Sequence, residues 1–124
     1  MEVKNKKAYY EFEIIEKLVA GMVLMGSEIK SIRDGRINIQ EAHCYFKKKD
    51  LWVRNMNIDI YKQAAHNGHE ATRERKLLLN KKELKKLNEK TREKGLTIIP
   101  LRLFLSERGW VKLEIGLAKG KKIH

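Results

Sequence analysis

Two alternating runs near the end of the chain constrain the fold more than any other feature. In residues 111–117, Val111, Leu113, Ile115 and Leu117 alternate with Lys112 and Glu114, the period-two pattern of a half-buried strand. In residues 96–105, Ile99, Leu101, Leu103 and Leu105 share a face, and Pro100 marks an edge position or a bulge. The turn at residues 106–109 joins the two runs as a hairpin. Earlier segments read in the same way. From Ala8, Tyr10, Phe12 and Ile14 alternate with Glu11 and Glu13. Residues 18–25 form a second apolar run with a bend or bulge expected at Gly21. Residues 42–46 and 51–58 read as strands around the charged turn 47–50. Ser27 is placed to cap a short helix over 28–34, with Ile29 and Ile32 inward and Gly35 as its stop.

Six or so short antiparallel strands, one long helix and one or two short ones predict a mainly β protein. Closing the sheet removes its exposed edges, so the expected architecture is a small antiparallel closed β-barrel, OB-fold-like, in a single domain over residues 1–124. Pattern alone does not separate this from an SH3-like barrel.

The long helix lies in the most basic stretch. Residues 73–94, RERKLLLNKKELKKLNEKTREK, carry ten lysines and arginines against four glutamates. Asn80 followed by Glu83 is a capping box, and Leu79 with Leu84 can staple the chain's entry into the helix. Leu84, Leu87 and Thr91 form a thin inner stripe, and Gly95 can end the helix in a left-handed turn. This predicts an apolar plug, residues 77–79, feeding a helix with a broad basic face. The alternative is a lysine-rich face that only meets solvent, but the excess charge extends well beyond this helix.

The whole chain of 124 residues has a formal net charge of +12. Repulsion on that scale costs stability, and proteins that tolerate it usually meet a polyanion. No apolar run approaches membrane-spanning length and no signal-peptide core is visible, so no membrane partner is expected. The single cysteine, Cys44, excludes an intramolecular disulfide and fits a reducing, cytoplasmic setting. Chemistry for an enzyme is thin. His66 and His69, or His43 and Cys44, lack a second tight pair of metal ligands, so no metal and no cofactor is expected. GLAKGK at 116–121 lacks the spacing and the Ser or Thr of a phosphate loop. Glu11 and Glu13 complete no active site. Binding chemistry is better supplied: lysine and arginine for phosphates, and Tyr9, Tyr10, Tyr45, Trp52, Tyr61 and Trp110 for stacking on unpaired bases. For Tyr10, Trp52 and Trp110, which stand in strand-like runs, burial or cross-strand packing is the plainer expectation.

Four blocks then carry a resemblance: Asn5-Lys6-Lys7-Ala8; Ala20-Gly21 with Gly26-Ser27-Glu28-Ile29-Lys30-Ser31-Ile32-Arg33; Arg75-Lys76-Leu77-Leu78-Leu79-Asn80; and Gly116-Leu117-Ala118-Lys119-Gly120-Lys121-Lys122. In this order and spacing, from about Asn5 to His124, the chain resembles the small protein B (SmpB, SsrA-binding protein) family. The resemblance implies an OB-fold barrel, a non-enzyme and a monomer. It would bind the tRNA-like domain of transfer-messenger RNA and deliver it to stalled ribosomes for trans-translation and ribosome rescue, meeting ribosomal RNA there. It implies RNA-binding roles for Asn5, Lys76, Leu78 and Asn80, with Leu78 supporting the surface rather than touching RNA. Lys7, Arg73, Arg75 and Lys81 join them as basic neighbours. Lys119, Lys121, Lys122 and His124 would face the ribosome.

Two positions depart from the family's pattern: Val19 stands where a glutamate is usual, and Glu70-Ala71 replaces Asp-Pro after the loop histidine. The family also continues past His124 with a basic tail. The expectation for a chain ending there is that it folds and binds the RNA but does not support tagging. Other readings are a general OB-type binder of single-stranded or ribosomal RNA, and a nuclease using a histidine and a carboxylate.

Overall fold

The computed structural model describes residues 1–60, 69–93 and 95–121. In chain order the elements are β1 (Glu2–Lys4), α1 (Lys6–Glu11), β2 (Phe12–Met22), α2 (Gly26–Arg33), β3 (Ile37–Asn38), β4 (His43–Lys47), β5 (Asp50–Arg54), β6 (Asn57–Ile58), β7 (Arg75–Leu78), α3 (Lys81–Thr91), β8 (Leu96–Leu105) and β9 (Val111–Gly120). The protein is mainly β. Seven strands form one antiparallel sheet in the order β1-β8-β4-β5-β7-β2-β9, with β8 also paired to β9, and β3 pairs with β6 apart from it.

The β8–β9 hairpin is the spine. Val111, Leu113, Ile115 and Leu117 all point into the main core, as their alternation predicts. The register of β8 slips between Pro100 and Arg102, so the bulge expected at Pro100 is present. An edge position is not, because Pro100 still faces Ile115 within a paired strand. The bulge also breaks the single face expected for Ile99, Leu101, Leu103 and Leu105. Leu103 stays in the main core, while Ile99 and Leu101 turn to a second cluster with Ala8 and Ala118. Gly116 makes that cluster possible: a Cβ there would lie 2.9 Å from Leu101 Cδ1 and 3.3 Å from Ile14 Cγ2.

The second cluster exists because residues 6–11 are helical, not extended as their alternation suggests. Asn5 caps this helix through its side chain and sets Ala8 against the sheet. Beyond it, β2 runs unbroken to Met22. Its bulge falls between Ile14 and Glu16 rather than at Gly21, which instead sits tightly opposite Leu78. The expected strand over 51–58 is two: Asn55 takes φ 59°, and the chain turns between β5 and β6. The cap expected from Ser27 is absent, since α2 starts two residues earlier than expected, at Gly26, and the Met25 amide bonds Glu28.

Residues 75–78 are strand, not a plug. Leu77 is in the core, Leu78 is exposed and Leu79 packs on the core margin. The capping box of α3 is as expected: Asn80 Oδ1 accepts from the Glu83 amide at 2.8 Å, and Glu83 Oε1 from the Asn80 amide at 3.1 Å. Leu87 is its fully buried contact, with Leu84 packed on the core margin. The helix stops at Thr91, and Gly95 (φ 85°) makes the left-handed turn into β8 after a short loop.

Candidate nucleic-acid interface

Side chains alternate across a strand, and β7 sorts its cations accordingly. Arg75 points inward and is 0% exposed. Its Nε donates to Glu28 Oε2 at 2.6 Å, its Nη1 to the Met56 carbonyl at 2.6 Å, and its Nη2 to the Ala71 carbonyl at 3.1 Å. Arg73 Nη2 donates to the other oxygen of Glu28, which also accepts from the Met25 amide. Burial alone would push the Glu28 carboxyl up. Hydrogen bonds from Arg73, the Met25 amide and Arg75, with the Arg75 charge beside it, together hold it below its ordinary value. Buried His69 closes the cluster. Its Nε2 donates to the Ile58 carbonyl at 2.8 Å, and in the neutral ring its Nδ1 accepts from Ser27 Oγ at 2.9 Å.

This cluster buries Arg75, which the sequence reading placed among the RNA contacts. A fully buried guanidinium bonded to Glu28 and to backbone carbonyls presents no surface to a phosphate. Asn5 is held in a similar way. It is buried, its Oδ1 accepts from the Ala8 amide, its Nδ2 donates to the Pro100 carbonyl at 2.9 Å, and its backbone amide bonds the Leu101 carbonyl. Both residues build the scaffold. Arg73 is intermediate, partly open to solvent with its Nη2 committed to Glu28.

The other candidates are at the surface. Lys76 lies on the outer side of β7, 3.6 Å from Asp50. Lys7 pairs with Glu41 at 2.9 Å and with Glu11 at 3.7 Å. Asn80 and Lys81 are exposed at the start of α3. Leu78 is 50% exposed, where the sequence reading made it a support. It lines a groove of about 470 Å³ with Val23, Arg33, Arg108 and Trp110. Val19 is exposed beside Asn80 and Lys82 in an adjoining hollow. The structure thus brings Leu78, Asn80, Lys81 and Val19 to one region, where β2, β7 and the first turn of α3 meet.

Trp110 is 67% exposed and Tyr10 80% exposed, which overturns the burial expected of both; Trp52 is half-buried. Arg33, Arg108 and Val23 are the groove residues that sequence reasoning missed. A signal for Trp110 was present, since the residue before inward-facing Val111 must point outward. Lys119 and Lys121 are exposed at the end of the last strand, with Lys121 Nζ bonding the Tyr9 carbonyl at 2.9 Å. Lys122 and His124, like Tyr61 and His66, lie outside the described residues. Among the described residues no group of three His, Cys, Asp or Glu side chains could hold a metal, and burial pushes the Cys44 thiol up, away from the reactive thiolate. No helix among them is long and apolar enough to cross a membrane.

Fold and surface together define a class: a small, strongly basic, mainly antiparallel-β binding protein. Comparison with known proteins supplies the family. The family described as SmpB protein matches residues 2–124, and the chain belongs to it. It is 53% identical over 124 residues to the SsrA-binding protein of Cytophaga hutchinsonii, covering all of this chain and 81% of that one. It is 52% identical over 122 residues to the SsrA-binding protein of Phocaeicola vulgatus, covering 98% and 81%. A chain of the solved structure described as "tmRNA-SmpB: a journey to the center of the bacterial ribosome" superposes with a TM-score of 0.81. That chain is 37% identical, with 99% of this chain and 86% of that one covered.

Proposed function

We propose that this chain binds the tRNA-like domain of transfer-messenger RNA and delivers it to stalled ribosomes for trans-translation, acting in the cytoplasm as a monomeric, non-enzymatic adaptor. The observation that carries this reading is the match to the SmpB family across residues 2–124, with relatives named SsrA-binding protein. The likeness to a chain from a tmRNA–SmpB structure supports transfer-messenger RNA and the ribosome as partners.

The finer architecture belongs to the same proposal. Pairing runs β8-β4-β5-β7-β2-β9 and returns through β9 to β8, which supports a closed OB-like barrel in a single domain. On it, Leu78, Asn80, Lys81 and Lys76 form the centre of the RNA surface and Lys7 an outlying contact. Arg73 borders it, Arg75 and Asn5 hold the scaffold behind it, and Lys119 and Lys121 lead toward the ribosome. Phosphate contacts from lysines supply affinity, and the shape of the surface supplies the choice of a tRNA-like fold. A gel-shift comparison tests this: the tRNA-like domain against an unstructured RNA of equal length, at fixed salt. Clear preference for the tRNA-like domain is expected. Equal affinity would reduce the protein to a general RNA binder.

A further inference from the structure

The outer face of β4, β5 and β7 carries a built arrangement of which the tRNA-like reading uses Lys76 alone. Tyr45 faces Trp52 across the β4–β5 pair, and Trp52 faces Lys76 across the β5–β7 pair, so two rings and a cation stand in one row. Cations lie over both rings. The Arg54 guanidinium sits 4.0 Å from the Tyr45 ring centre, and Lys47 Nζ is 4.4 Å from that of Trp52. The plane of Arg54 is held from the side, because its Nε donates to His43 Nε2 at 2.7 Å. Burial and the Arg54 charge both lower the pKa of His43, which favours the neutral ring that this bond needs. Lys47 is likewise fixed, 3.0 Å from Glu74 Oε2. At the hairpin tip Lys48 and Lys49 are exposed. The face therefore offers Lys47, Lys48, Lys49, Arg54 and Lys76 against Asp50 and Glu74.

A guanidinium already stacked on a ring and exposed on its other side is a flat, pre-ordered seat for a nucleobase, and lysines around it suit the phosphates on either side. An acidic peptide would satisfy the charge but has no use for the stacked planes. We propose that this face is a second RNA contact, binding an unpaired stretch of RNA by stacking on Arg54–Tyr45, beside Trp52, and by phosphate contacts from the β4–β5 turn. It shares Lys76 with the proposed tRNA-like site beside Asn80, while its rings, Arg54 and the β4–β5 turn lie outside that site.

The chain has two tryptophans, so Trp110→Phe leaves Trp52 as the only one. This variant is titrated with an oligoadenylate of roughly ten nucleotides, a length suited to a single-strand groove. Trp52 fluorescence and the anisotropy of a label on the RNA are read together. Saturable quenching of Trp52 at the concentrations where anisotropy rises is expected. Adding Arg54→Ala should weaken both responses by about tenfold, the scale of one lost stacked base. Circular dichroism confirms that the variants are folded, and Lys48→Gln with Lys49→Gln gives a second set that touches no ring. Binding of the tRNA-like domain should survive Arg54→Ala, so failure here is distinguishable from failure of the main function. A rise in anisotropy with Trp52 silent overturns the proposal. Equal quenching by polyglutamate does so too, and would make this a surface for acidic protein.

Discussion

Residues 73–94 give rise to two cationic regions that share a sequence and little else. At one end, Arg73 and Arg75 converge on Glu28 and are tied to it and to backbone carbonyls. At the other, Asn80 and Lys81 open the exposed turn of α3. Between them the strand alternation of β7 decides which way each side chain goes. A buried cation is an architectural commitment, because removing its partner strands a charge out of water. An exposed cation costs little and is available to a ligand. Charge density therefore locates the functional segment, while periodicity separates the residues that build it from those that use it.

The sharpest way to break that contrast is at the buried end. Glu28→Gln leaves Arg75 without a countercharge and should cost about 3–5 kcal/mol, read as a loss of urea midpoint at unchanged slope. Replacing both members, Glu28→Leu with Arg75→Met, should recover much of the loss. If the single variant is as stable as the wild type, the cluster is not structural.

Acid should report on the same contact. The Glu28 pKa lies below its ordinary value of 4.5 in the folded protein, so its stabilisation is fully present above that value. It is lost as pH falls through the lower folded pKa. Unfolding measured from pH 6 downward should therefore show a steeper fall for the wild type than for Glu28→Gln. Parallel curves would mean that other carboxylates govern the acid limb.

Asn5 tests the contrast at a residue that the sequence reading gave to RNA and the structure buries. Asn5→Ala removes the cap of α1 and leaves the Pro100 carbonyl without its donor, for about 1–3 kcal/mol. Asn5→Asp keeps an acceptor for the Ala8 amide but places a carboxylate against a carbonyl, so it should not rescue. RNA affinity measured on the folded fraction should be unchanged in both variants. A selective loss of affinity would return Asn5 to the RNA surface.

How far the sequence could be read follows from which forces are local. The β8–β9 hairpin, the capping box at Asn80 and the inward set of β9 were legible because period, cap and turn are written within a few residues. Helix α1 was not. Tyr10, Phe12 and Ile14 alternate, yet the Asn5 cap and a seat for Ala8 on β8, nearly a hundred positions away, favour helix. The burial of Arg75 was not legible for a related reason, since its partner Glu28 is distant in sequence and a lone basic residue does not announce burial. Trp110 and Leu78 are exposed where hydrophobicity alone argues for the core. Their outward direction follows only once the register of their strands is fixed.

At the exposed end the expected effect on stability is smallest and its sign is informative. Lys81 and Lys82 occupy the first turn of α3, where the positive end of the helix dipole disfavours cations. The fold gains nothing from them there. Lys81→Gln should leave stability unchanged or raise it slightly, by about 0.3 kcal/mol at low salt, while Asn80→Ala should lower it by about 1 kcal/mol through the lost cap. Asn80→Asp keeps the cap, so any loss of RNA affinity that it shows belongs to the surface and not to the fold. For RNA the order is different. If Lys81 meets a phosphate, Lys81→Gln weakens binding to the tRNA-like domain and lowers the slope of log affinity against log salt by about one unit. Gel shifts across a salt series, run beside thermal melts of the free protein, separate these outcomes. A variant that is slightly more stable and binds with a shallower salt slope identifies Lys81 as a residue kept for RNA. An unchanged slope would place the phosphate contacts elsewhere on the basic face of α3.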